Sequence, residues 1–506
     1  SSTFHPQPGQ GSRIGALGLF FGETLKELPQ ACRTLVEAGP GQPRLVHTHP
    51  QTVEVHYEPD IISVAKAEEF SRALARLRVK GATATGDIPS RASMLDLVGV
   101  ERIEEFDALA RWQKNVPYRS MAVPVGLQAG GKVLELNLHE TVHGPHGLVA
   151  GTTGSGKTVF LSTFLGMLAV QFHPHEVAFV CVDYKGGDLF RGLEDLPHLV
   201  GTLTNLEKSE VWRCLRALQA ENERRMRLFS QATKETGVAV NKIDEYQELQ
   251  RQGKAPEPLP KLLIVCDEFA ELSKQEPEFI GRLVSIARVG RSLGVHLILA
   301  TQQPAGIIGD QIESNTRFRM AFKFNKEEDS KAVIKRPEAA SIRVTGRAYF
   351  QLGENEIFEQ FQAAFGGAPY SQEKQQVEEP RIAEILLDGR RRFLGSVSAP
   401  AAQGGKARTQ LQAMSRHLAQ CAENAGIKRL PGPWLPPLSS LIPLPTIDAD
   451  QGWNGSTWIP GERWLQPTVG MVDDPGRSFQ GPLQLSLAKD GHVAVYGRPG
   501  DRKSVV

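Results

Sequence analysis

Apolar residues between positions 148 and 300 are concentrated in short continuous runs. Such runs occupy residues 148–150, 177–182, 262–266 and 295–300. Continuous runs bounded by polar residues are typical of parallel strands that are buried on both faces of a sheet. Residues 160–168 instead repeat apolar side chains every three or four positions, which predicts a helix. We therefore predict an α/β fold with a mostly parallel sheet flanked by helices.

The segments on either side of this region have weaker patterns. Short strand-like pieces and a helix at 64–77 precede it, and helical spacing resumes over residues 94–113. A stretch rich in Gly, Ala and Thr at 81–90 separates the two and indicates a linker. We therefore divide the chain into the tail of an upstream α/β domain, one complete domain, a linker with a helix, and the beginning of a second, truncated domain: residues 1–90, 91–375, 376–440 and 441–506.

Residues 151–158 read GTTGSGKT and lie between the first apolar run and the predicted helix. This is the Walker A pattern, G-x-x-x-x-G-K-[ST], in the strand-to-helix context that it requires. Backbone amides of such a loop bind phosphate oxygens, Lys157 reaches the terminal phosphates, and Thr158 supplies a hydroxyl for Mg²⁺. The alternative is a glycine-rich turn that matches by chance. The predicted ATP-binding residues are Gly151, Thr152, Thr153, Gly154, Ser155, Gly156, Lys157 and Thr158.

The run at 262–266 closes on two carboxylates, Asp267 and Glu268, as a Walker B strand does. Adjacent residues on a strand point to opposite sides, so the two carboxylates can have different roles. We predict that Asp267 holds Mg²⁺ through water, together with Thr158, and that Glu268 polarises the attacking water. The alternative, two acids that open a surface loop, fits the same local pattern.

A polar amide, Gln302, follows the last apolar run. At that position it can reach the γ-phosphate or the attacking water, so we predict a sensor role for it. Just before the run, Arg288 and Arg291 stand at a predicted helix end, and Arg291 is our candidate for a residue that completes a neighbouring subunit's site. The alternative is an arginine that faces solvent. Arg216, Arg224 and Arg225 are the next arginines to test.

The amino-acid composition limits the classes of partner and the cellular compartment that can be expected. The 506 residues include 58 Lys and Arg against 57 Asp and Glu, a formal charge of +1, which gives no argument for a nucleic-acid or anionic-membrane partner. The five cysteines lack C-x-x-C spacing, which favours reduced thiols in a cytosolic setting. No apolar run is long enough to span a bilayer. We expect the chain to be part of a longer protein, because it begins with Ser1 rather than methionine.

Several further runs carry a family resemblance. They read HGPHGLVAGTTGSGKT, FHPHEV, DYKGG, LPHLVGT, DEFAEL and GRSLGVHLILATQ and begin at residues 143, 172, 183, 196, 267 and 290. Residues 92–370 are similar to the first ATPase domain of the FtsK/SpoIIIE-type motors of type VII (ESX) secretion, the EccC/EssC family. Two positions depart from the family pattern, Asp188 where glycine is usual and Thr158 where serine is commoner; neither removes a phosphate-binding group.

The resemblance implies a RecA/FtsK-like ATPase that uses ATP and Mg²⁺. It also implies a hexameric ring on the cytoplasmic side of the cell membrane, anchored through segments outside this chain. The implied partners are secreted WXG-type proteins and other secretion-system components, with no nucleic acid expected. Two alternatives stay open. One is a DNA translocase, which has the same type of ATPase domain, and the other is an adaptor that binds nucleotide without hydrolysing it.

The sequence at the end of the chain is similar to that of a second phosphate loop. Residues 493–504 read as a strand followed by GRPGDRKS, which keeps the Lys503-Ser504 pair. However, Arg502 occupies the position where the motif requires glycine, and a side chain there blocks the close approach of backbone to phosphate. We therefore predict one working nucleotide site in this chain.

Overall fold

The computed structural model describes residues 34–37, 44–47, 53–56, 63–75, 77–79, 88–183, 186, 189–204, 208–353, 356–370, 382–385, 391–393, 408–439, 441–447, 456–457, 465–494 and 496. The chain divides into two compact units. The first comprises Ser1–Ala82 and Glu378–Pro400, and the second comprises Thr83–Val377 and Ala401–Val506.

The described strands, in chain order, are β1 (Thr34–Glu37), β2 (Arg44–His47), β3 (Val53–His56), β4 (Leu77–Val79), β5 (Ala92–Ser93), β6 (Ala122–Leu127), β7 (Val133–Asn137), β8 (His146–Ala150), β9 (Val177–Asp183), β10 (Leu199–Leu203), β11 (Lys261–Asp267), β12 (Val295–Thr301), β13 (Phe318–Phe322), β14 (Arg347–Leu352), β15 (Ile357–Phe365), β16 (Ile382–Ile385), β17 (Arg391–Phe393), β18 (Thr468–Asp474) and β19 (Phe479–Gln484).

The described α-helices are α1 (Val64–Ala75), α2 (Met94–Val98), α3 (Ala108–Lys114), α4 (Lys157–Gln171), α5 (Lys208–Thr236), α6 (Ile243–Arg251), α7 (Phe269–Gln275), α8 (Pro277–Gly290), α9 (Asp310–Asn315), α10 (Glu327–Ile334), α11 (Gln410–Asn424), α12 (Leu444–Ile447) and α13 (Leu487–Asp490). Short 3₁₀ helices occupy Ile103–Glu105, Ala129–Gly131 and Glu338–Ser341.

The first unit contains two antiparallel three-stranded sheets and α1. One sheet has the order β1-β2-β3 and the other the order β17-β16-β4. Strands β16 and β17 come from the segment 376–440, which the sequence suggested to be a linker with a helix. That segment therefore supplies two strands to the first unit, and its helix α11 belongs to the second unit.

The second unit is organised around an eleven-stranded sheet with the order β10-β9-β11-β12-β8-β13-β14-β15-β6-β7, in which β5 also pairs with β15. The six strands from β10 to β13 run parallel, and β14, β15, β6 and β7 continue the sheet in antiparallel fashion. The predicted α/β fold with a mostly parallel sheet is confirmed.

The continuous apolar runs arise because both faces of this sheet are covered. On β11, Leu263 and Val265 enter one hydrophobic core, while Ile264 and Cys266 enter the core on the opposite face. The first core contains α4 and α11, and the second contains α5 and α8. Alternate side chains of a strand point to opposite faces, so a strand between two helical layers must be apolar throughout.

The helical spacing over residues 94–113 corresponds to more than one helix. The segment forms two α-helices, α2 and α3, because α2 ends at Gly99, whose φ of 81° lies in the left-handed region. The amide of Gly99 bonds to the carbonyls of Leu95 and Asp96, which closes the helix end. Asp107 then begins α3 by accepting a hydrogen bond from the Ala110 amide.

No helix in the described ranges is both long and apolar enough to cross a bilayer.

The sheet topology brings several chain segments to one edge. The carboxyl ends of β9, β11, β12, β8 and β13 meet there because these strands are parallel. The antiparallel β14 begins at this edge and β15 ends at it. Ligands of open α/β sheets bind outside the carboxyl ends of the strands, so this edge is the place to examine for a site.

Candidate functional site

The loop at residues 151–156 connects β8 to α4 and has the backbone that its glycines permit. Gly154 and Gly156 adopt φ angles of 76° and 99°, which side-chain-bearing residues rarely adopt. A Cβ on Gly151 would lie 2.5 Å from the Cβ of Phe322. Glycine is therefore required at these positions by conformation or by space, as the sequence motif predicts.

Neighbouring strands fix this loop in place. The Gly151 amide donates to the Thr301 carbonyl at 3.1 Å, and the Thr152 amide donates to the Lys323 carbonyl at 3.0 Å. On the other side, the Gly346 amide donates to the Ser155 carbonyl at 2.9 Å. The loop is thus attached to β12, to the end of β13 and to the beginning of β14.

Lys157 and Asp267 form an ion pair at the first turn of α4. Both side chains are buried, and the Lys157 ammonium donates a hydrogen bond to Asp267 Oδ1. The Thr158 hydroxyl lies 3.2 Å from Asp267 Oδ2, and the Glu268 amide donates to Oδ1 at 2.9 Å. The structure therefore brings together the predicted phosphate-binding lysine and both predicted metal ligands.

Glu268 occupies an unusual backbone conformation directly after β11. Its φ and ψ of 57° and 43° lie in the left-handed region, which costs a non-glycine residue about 1 kcal/mol. The side chain is buried, and its Oε1 accepts hydrogen bonds from the Thr301 hydroxyl at 3.2 Å and from the Gln302 amide at 3.1 Å. These contacts hold the carboxylate against the end of β12.

Gln302 connects Glu268 to the phosphate loop. Its backbone amide contacts Glu268, and its side-chain Oε1 accepts a hydrogen bond from the Thr153 hydroxyl. Residues 153, 268 and 302 are far apart in sequence but adjacent here because β12 lies between β8 and β11 in the sheet. Gln302 therefore contacts both the phosphate loop and the Glu268 carboxylate.

The residues present fit Mg-ATP. The Ser155 hydroxyl is buried and has no hydrogen-bond partner in the described part of the chain, so it can serve a phosphate oxygen. A hydroxyl and a carboxylate, from Thr158 and Asp267, form the oxygen donor set that Mg²⁺ prefers. The Lys157 ammonium supplies the positive charge.

Arg291 does not lie in this cluster. It precedes β12, whereas Thr301 ends it, and seven strand residues span about 20 Å. The Arg291 side chain is half exposed and contacts Glu140 with Nε at 3.4 Å from Oε2. Arg288, one turn earlier on α8, is exposed. Neither arginine can reach the site of its own chain.

The other candidate arginines differ in their surroundings. Arg225 is buried and donates to Glu221 and to the carbonyls of Leu293 and Pro260, while Arg224 pairs with Glu221 and Glu257. These contacts join α5 to neighbouring segments, so both arginines are structural in this chain. Arg216 is exposed.

Sequence reasoning missed Thr301 as a functional candidate. The sequence pattern pointed to the side-chain amide of Gln302, whereas in the structure the Thr301 hydroxyl donates a hydrogen bond to Glu268. Its position at the end of an apolar strand next to Gln302 was the available signal.

Asp183, at the end of β9, lies opposite Asp267 in the strand register and accepts a hydrogen bond from the Leu189 amide.

Two predicted features lie outside the described residues. One is Asp188 with its neighbours 184, 185 and 187, and the other is the second loop-like sequence at 497–504. The prediction of a single nucleotide site stays a prediction.

Comparisons with known proteins agree with this geometry. Residues 103–306 match the FtsK/SpoIIIE family. The chain is 39% identical over 499 residues to the type VII secretion system protein EssC of Staphylococcus aureus strain Mu50, covering 97% of this chain and 33% of EssC. It is also 39% identical over 507 residues to the ESX secretion system protein YukB of Bacillus subtilis, covering 98% of this chain and 32% of YukB.

Solved structures give the same relationship. The cytoplasmic domain of the type VII secretion ATPase EccC from Thermomonospora curvata aligns with a TM-score of 0.61 and 29% identity, covering 79% of this chain and 42% of that one. ATPases 2 and 3 of EssC from Geobacillus thermodenitrificans align with a TM-score of 0.53 and 17% identity, covering 80% of this chain and 62% of that one, which supports the fold alone.

The chain spans about a third of the length of the curated relatives that it matches. The family match, the identity along nearly the whole chain and the structural alignment with EccC agree with one another. Residues 103–306 are therefore a P-loop ATPase domain of the FtsK/SpoIIIE family, and the chain is similar along nearly its whole length to EssC and YukB.

Proposed function

We propose that this chain binds and hydrolyses Mg-ATP as a motor segment of a type VII secretion system, and that this motor powers the export of small WXG-type proteins. The observation that carries the proposal is the cluster of Lys157, Thr158, Asp267, Glu268 and Gln302 at one edge of the sheet. Each chemical role that phosphoryl transfer to water requires has a side chain there.

Nucleotide binding rearranges the Lys157–Asp267 pair. Lys157 and the amides of residues 151–158 would hold the phosphates, and Thr158 and Asp267 would hold Mg²⁺, which when bound would neutralise negative charge on the phosphates. The Lys157 ammonium exchanges its bond to Asp267 for phosphate oxygens, which leaves the Asp267 carboxylate available to the metal and its water.

Glu268 orients the attacking water and polarises it. The Thr301 hydroxyl and the Gln302 amide hold the carboxylate in one place, which is what precise orientation of a nucleophile requires. Gln302 also contacts Thr153 in the phosphate loop, so its side chain is positioned to report whether the γ-phosphate is present. Hydrolysis then changes the contact between Gln302 and Thr153, and this change is passed on to β12, which Gln302 follows.

The remaining roles concern the assembly. Because Arg291 lies at the opposite end of β12 from the site, we propose that it acts on a neighbouring subunit within a hexameric ring. We place this ring on the cytoplasmic side of the cell membrane, attached through segments outside this chain. Its proposed partners are WXG-type substrates and other secretion components.

The proposal is tested by export in the organism that produces this protein. A chromosomal Glu268→Gln exchange keeps nucleotide binding and stops turnover, so secretion of WXG-type proteins is expected to cease while their cellular levels are retained. Glu278→Gln is the matched control, because Glu278 is an exposed glutamate on α8. Normal export by the Glu268→Gln strain would contradict the proposal.

A DNA translocase makes a different prediction. Its ATPase activity would rise with duplex DNA and collapse with added salt, because phosphate contacts release counterions. For a chain of net charge +1 we expect less than about twofold stimulation. Strong, salt-sensitive activation of the purified chain would favour the translocase.

A further inference from the structure

The segment through which the chain enters the second unit is fixed by an arginine. Residues 88 and 89 begin the described part of this unit and are half-buried. Arg347, the first residue of β14, donates through Nη2 to the carbonyls of Ile88 at 3.1 Å and Pro89 at 2.9 Å. Three residues later, β5 pairs with the end of β15. The entering segment, residues 88–93, therefore lies at the carboxyl edge of the sheet.

The same guanidinium also bonds to a buried amide. Arg347 Nε donates to Gln362 Oε1 at 3.1 Å, and Gln362 Nε2 donates to the Thr345 carbonyl at 3.0 Å. The oxygen and the nitrogen of this amide have different partners, and these partners determine its orientation. Gln362 is a buried residue of β15. Arg347 and the two residues before it are therefore held as one group against β15.

This group contacts the phosphate loop directly. The Gly346 amide donates to the Ser155 carbonyl at 2.9 Å, and the Gly346 carbonyl accepts from the Ala363 amide at 2.8 Å. A Cβ on Gly156 would lie 3.0 Å from both the backbone nitrogen and the Cα of Gly346, so the two backbones are in close contact. Packed groups transmit displacements, so a shift of Gly346 shifts residues 155–156 as well.

Arginine has the chemistry that this link requires. Its guanidinium is planar and always charged, and its hydrogen bonds to carbonyl oxygens are stronger than those between neutral groups. Arg347 uses one nitrogen toward Gln362 and another toward the entering segment. A lysine has a single nitrogen on a flexible chain and cannot hold both partners in a fixed geometry.

We propose that Arg347 is a positioning residue that couples the phosphate loop to the entering segment. A phosphate bound at Ser155 fixes the phosphate loop, and through Gly346 and Arg347 it also fixes residues 88–89. Coupling between two sites is reciprocal, so a displacement of the entering segment weakens ATP binding. The chain reaches Ile88 from the first unit, which gives that unit a covalent route to the affinity for ATP. This inference rests on the proposed function, because it concerns the same ATP site.

The first test is hydrogen exchange in peptides that cover residues 88–93 of the 506-residue chain, in a Glu268→Gln background that does not consume ATP. Mg-ATP is expected to slow exchange there about fivefold, and less than about 1.5-fold after Arg347→Ala. Arg319→Ala is the matched control, since Arg319 is a half-buried arginine of β13 that donates to the Val333 carbonyl. Equal slowing with and without Arg347, or no slowing while ATP is bound, would overturn the coupling.

The second test is a double-mutant cycle on the dissociation constant of Mg-ATP. Pro89→Gly removes the restraint on the backbone that presents the two carbonyls to Arg347. Pro89→Gly and Arg347→Ala are each expected to weaken ATP binding about fivefold, and the double variant no further, because both break the same link.

The outcomes of the cycle separate the coupling from the proposed function. Additive losses would overturn the coupling, because the two residues would then act independently. Unchanged affinity in Pro89→Gly would overturn it whatever the stability of Arg347→Ala. Both results presuppose that the wild-type chain binds Mg-ATP, and failure of the wild type to bind would overturn the proposed function as well.

Discussion

The buried ammonium of Lys157 donates a hydrogen bond to the carboxylate of Asp267, 110 residues later in the chain. One residue begins α4 and the other ends β11, and the intervening strand β12 sets their separation. The pair neutralises two charges that burial would otherwise penalise. It also means that phosphate must compete with Asp267 for Lys157, and this competition has measurable consequences.

Replacing Asp267 by Asn should separate metal use from phosphate binding. Without Mg²⁺, the variant is expected to bind ATP at least about threefold more tightly, because Lys157 is released and a negative charge near the phosphates is removed. With Mg²⁺, turnover should fall by about a hundredfold, since the metal loses its ligand. Titration in chelator and steady-state hydrolysis measure the two effects, and Asp310→Asn on the exposed start of α9 is the control. Weaker ATP binding without metal would contradict this account of the pair.

Thr301 should matter for turnover and not for affinity. Thr301→Val keeps the shape of the side chain and removes the hydroxyl that bonds to Glu268. A carboxylate with one fewer fixing contact orients water less well, so we expect kcat to fall about tenfold with ATP affinity within twofold of wild type. The control is Thr316→Val, another buried threonine, whose hydroxyl bonds to the Ile312 carbonyl. Equal losses in both variants would indicate a general structural effect.

Arg291 should act only between subunits. Arg291→Ala is expected to bind ATP normally and hydrolyse it at least about a hundredfold more slowly, even at concentrations that allow assembly. Mixing it with Glu268→Gln protein should restore part of the activity, because an intact Glu268 can then meet an intact arginine from the next subunit. A mixture that stays inactive would remove Arg291 from this role and direct attention to Arg288 and Arg216.

The sequence predicted the parts of this site that are local and missed those that depend on strand order. The loop at 151–158, Asp267 and Glu268 each carry a recognisable pattern, and the continuous apolar runs predicted a sheet buried on both faces. Contacts such as Thr301 with Glu268, or Gly346 with Ser155, depend on which strands are neighbours. No local pattern contains that information. The helical spacing over 94–113 did not show where one helix ends and the next begins, because Gly99 ends α2 while the apolar spacing continues.

Buried histidines should make the protein less stable in acid. His198 is fully buried, stacks on Phe179 and bonds through Nε2 to the Phe172 carbonyl, and burial lowers its pKa to about 3; His173, His175 and Arg429 nearby act in the same direction. The His198 imidazole therefore stays neutral in the folded state. In the unfolded state it takes up a proton as the pH falls below its usual pKa of about 6.5. Stability is expected to fall by about 1.4 kcal/mol per pH unit for this residue as pH drops from about 6.5 toward 3.

The measurement is the melting temperature between pH 7 and pH 5. His198→Gln keeps a donor for the Phe172 carbonyl but does not titrate, so its melting temperature should fall less steeply with acid than that of the wild-type chain. His417→Gln is a matched control, since His417 also bonds to a backbone carbonyl, that of Phe106, at a half-buried position. Parallel curves for the wild type and His198→Gln would show that His198 does not contribute to the acid sensitivity.

The most direct test of the central claim is one equilibrium titration of the purified chain with a fluorescent ATP analogue in Mg²⁺. We expect close to one equivalent bound per chain for the wild type and for Glu268→Gln, and close to none for Lys157→Ala, whereas Lys326→Ala, at an exposed lysine, should match the wild type. Full binding by Lys157→Ala would contradict the assignment of the phosphate loop. A second equivalent that persists in Lys157→Ala and disappears when residues 497–506 are deleted would contradict the single site.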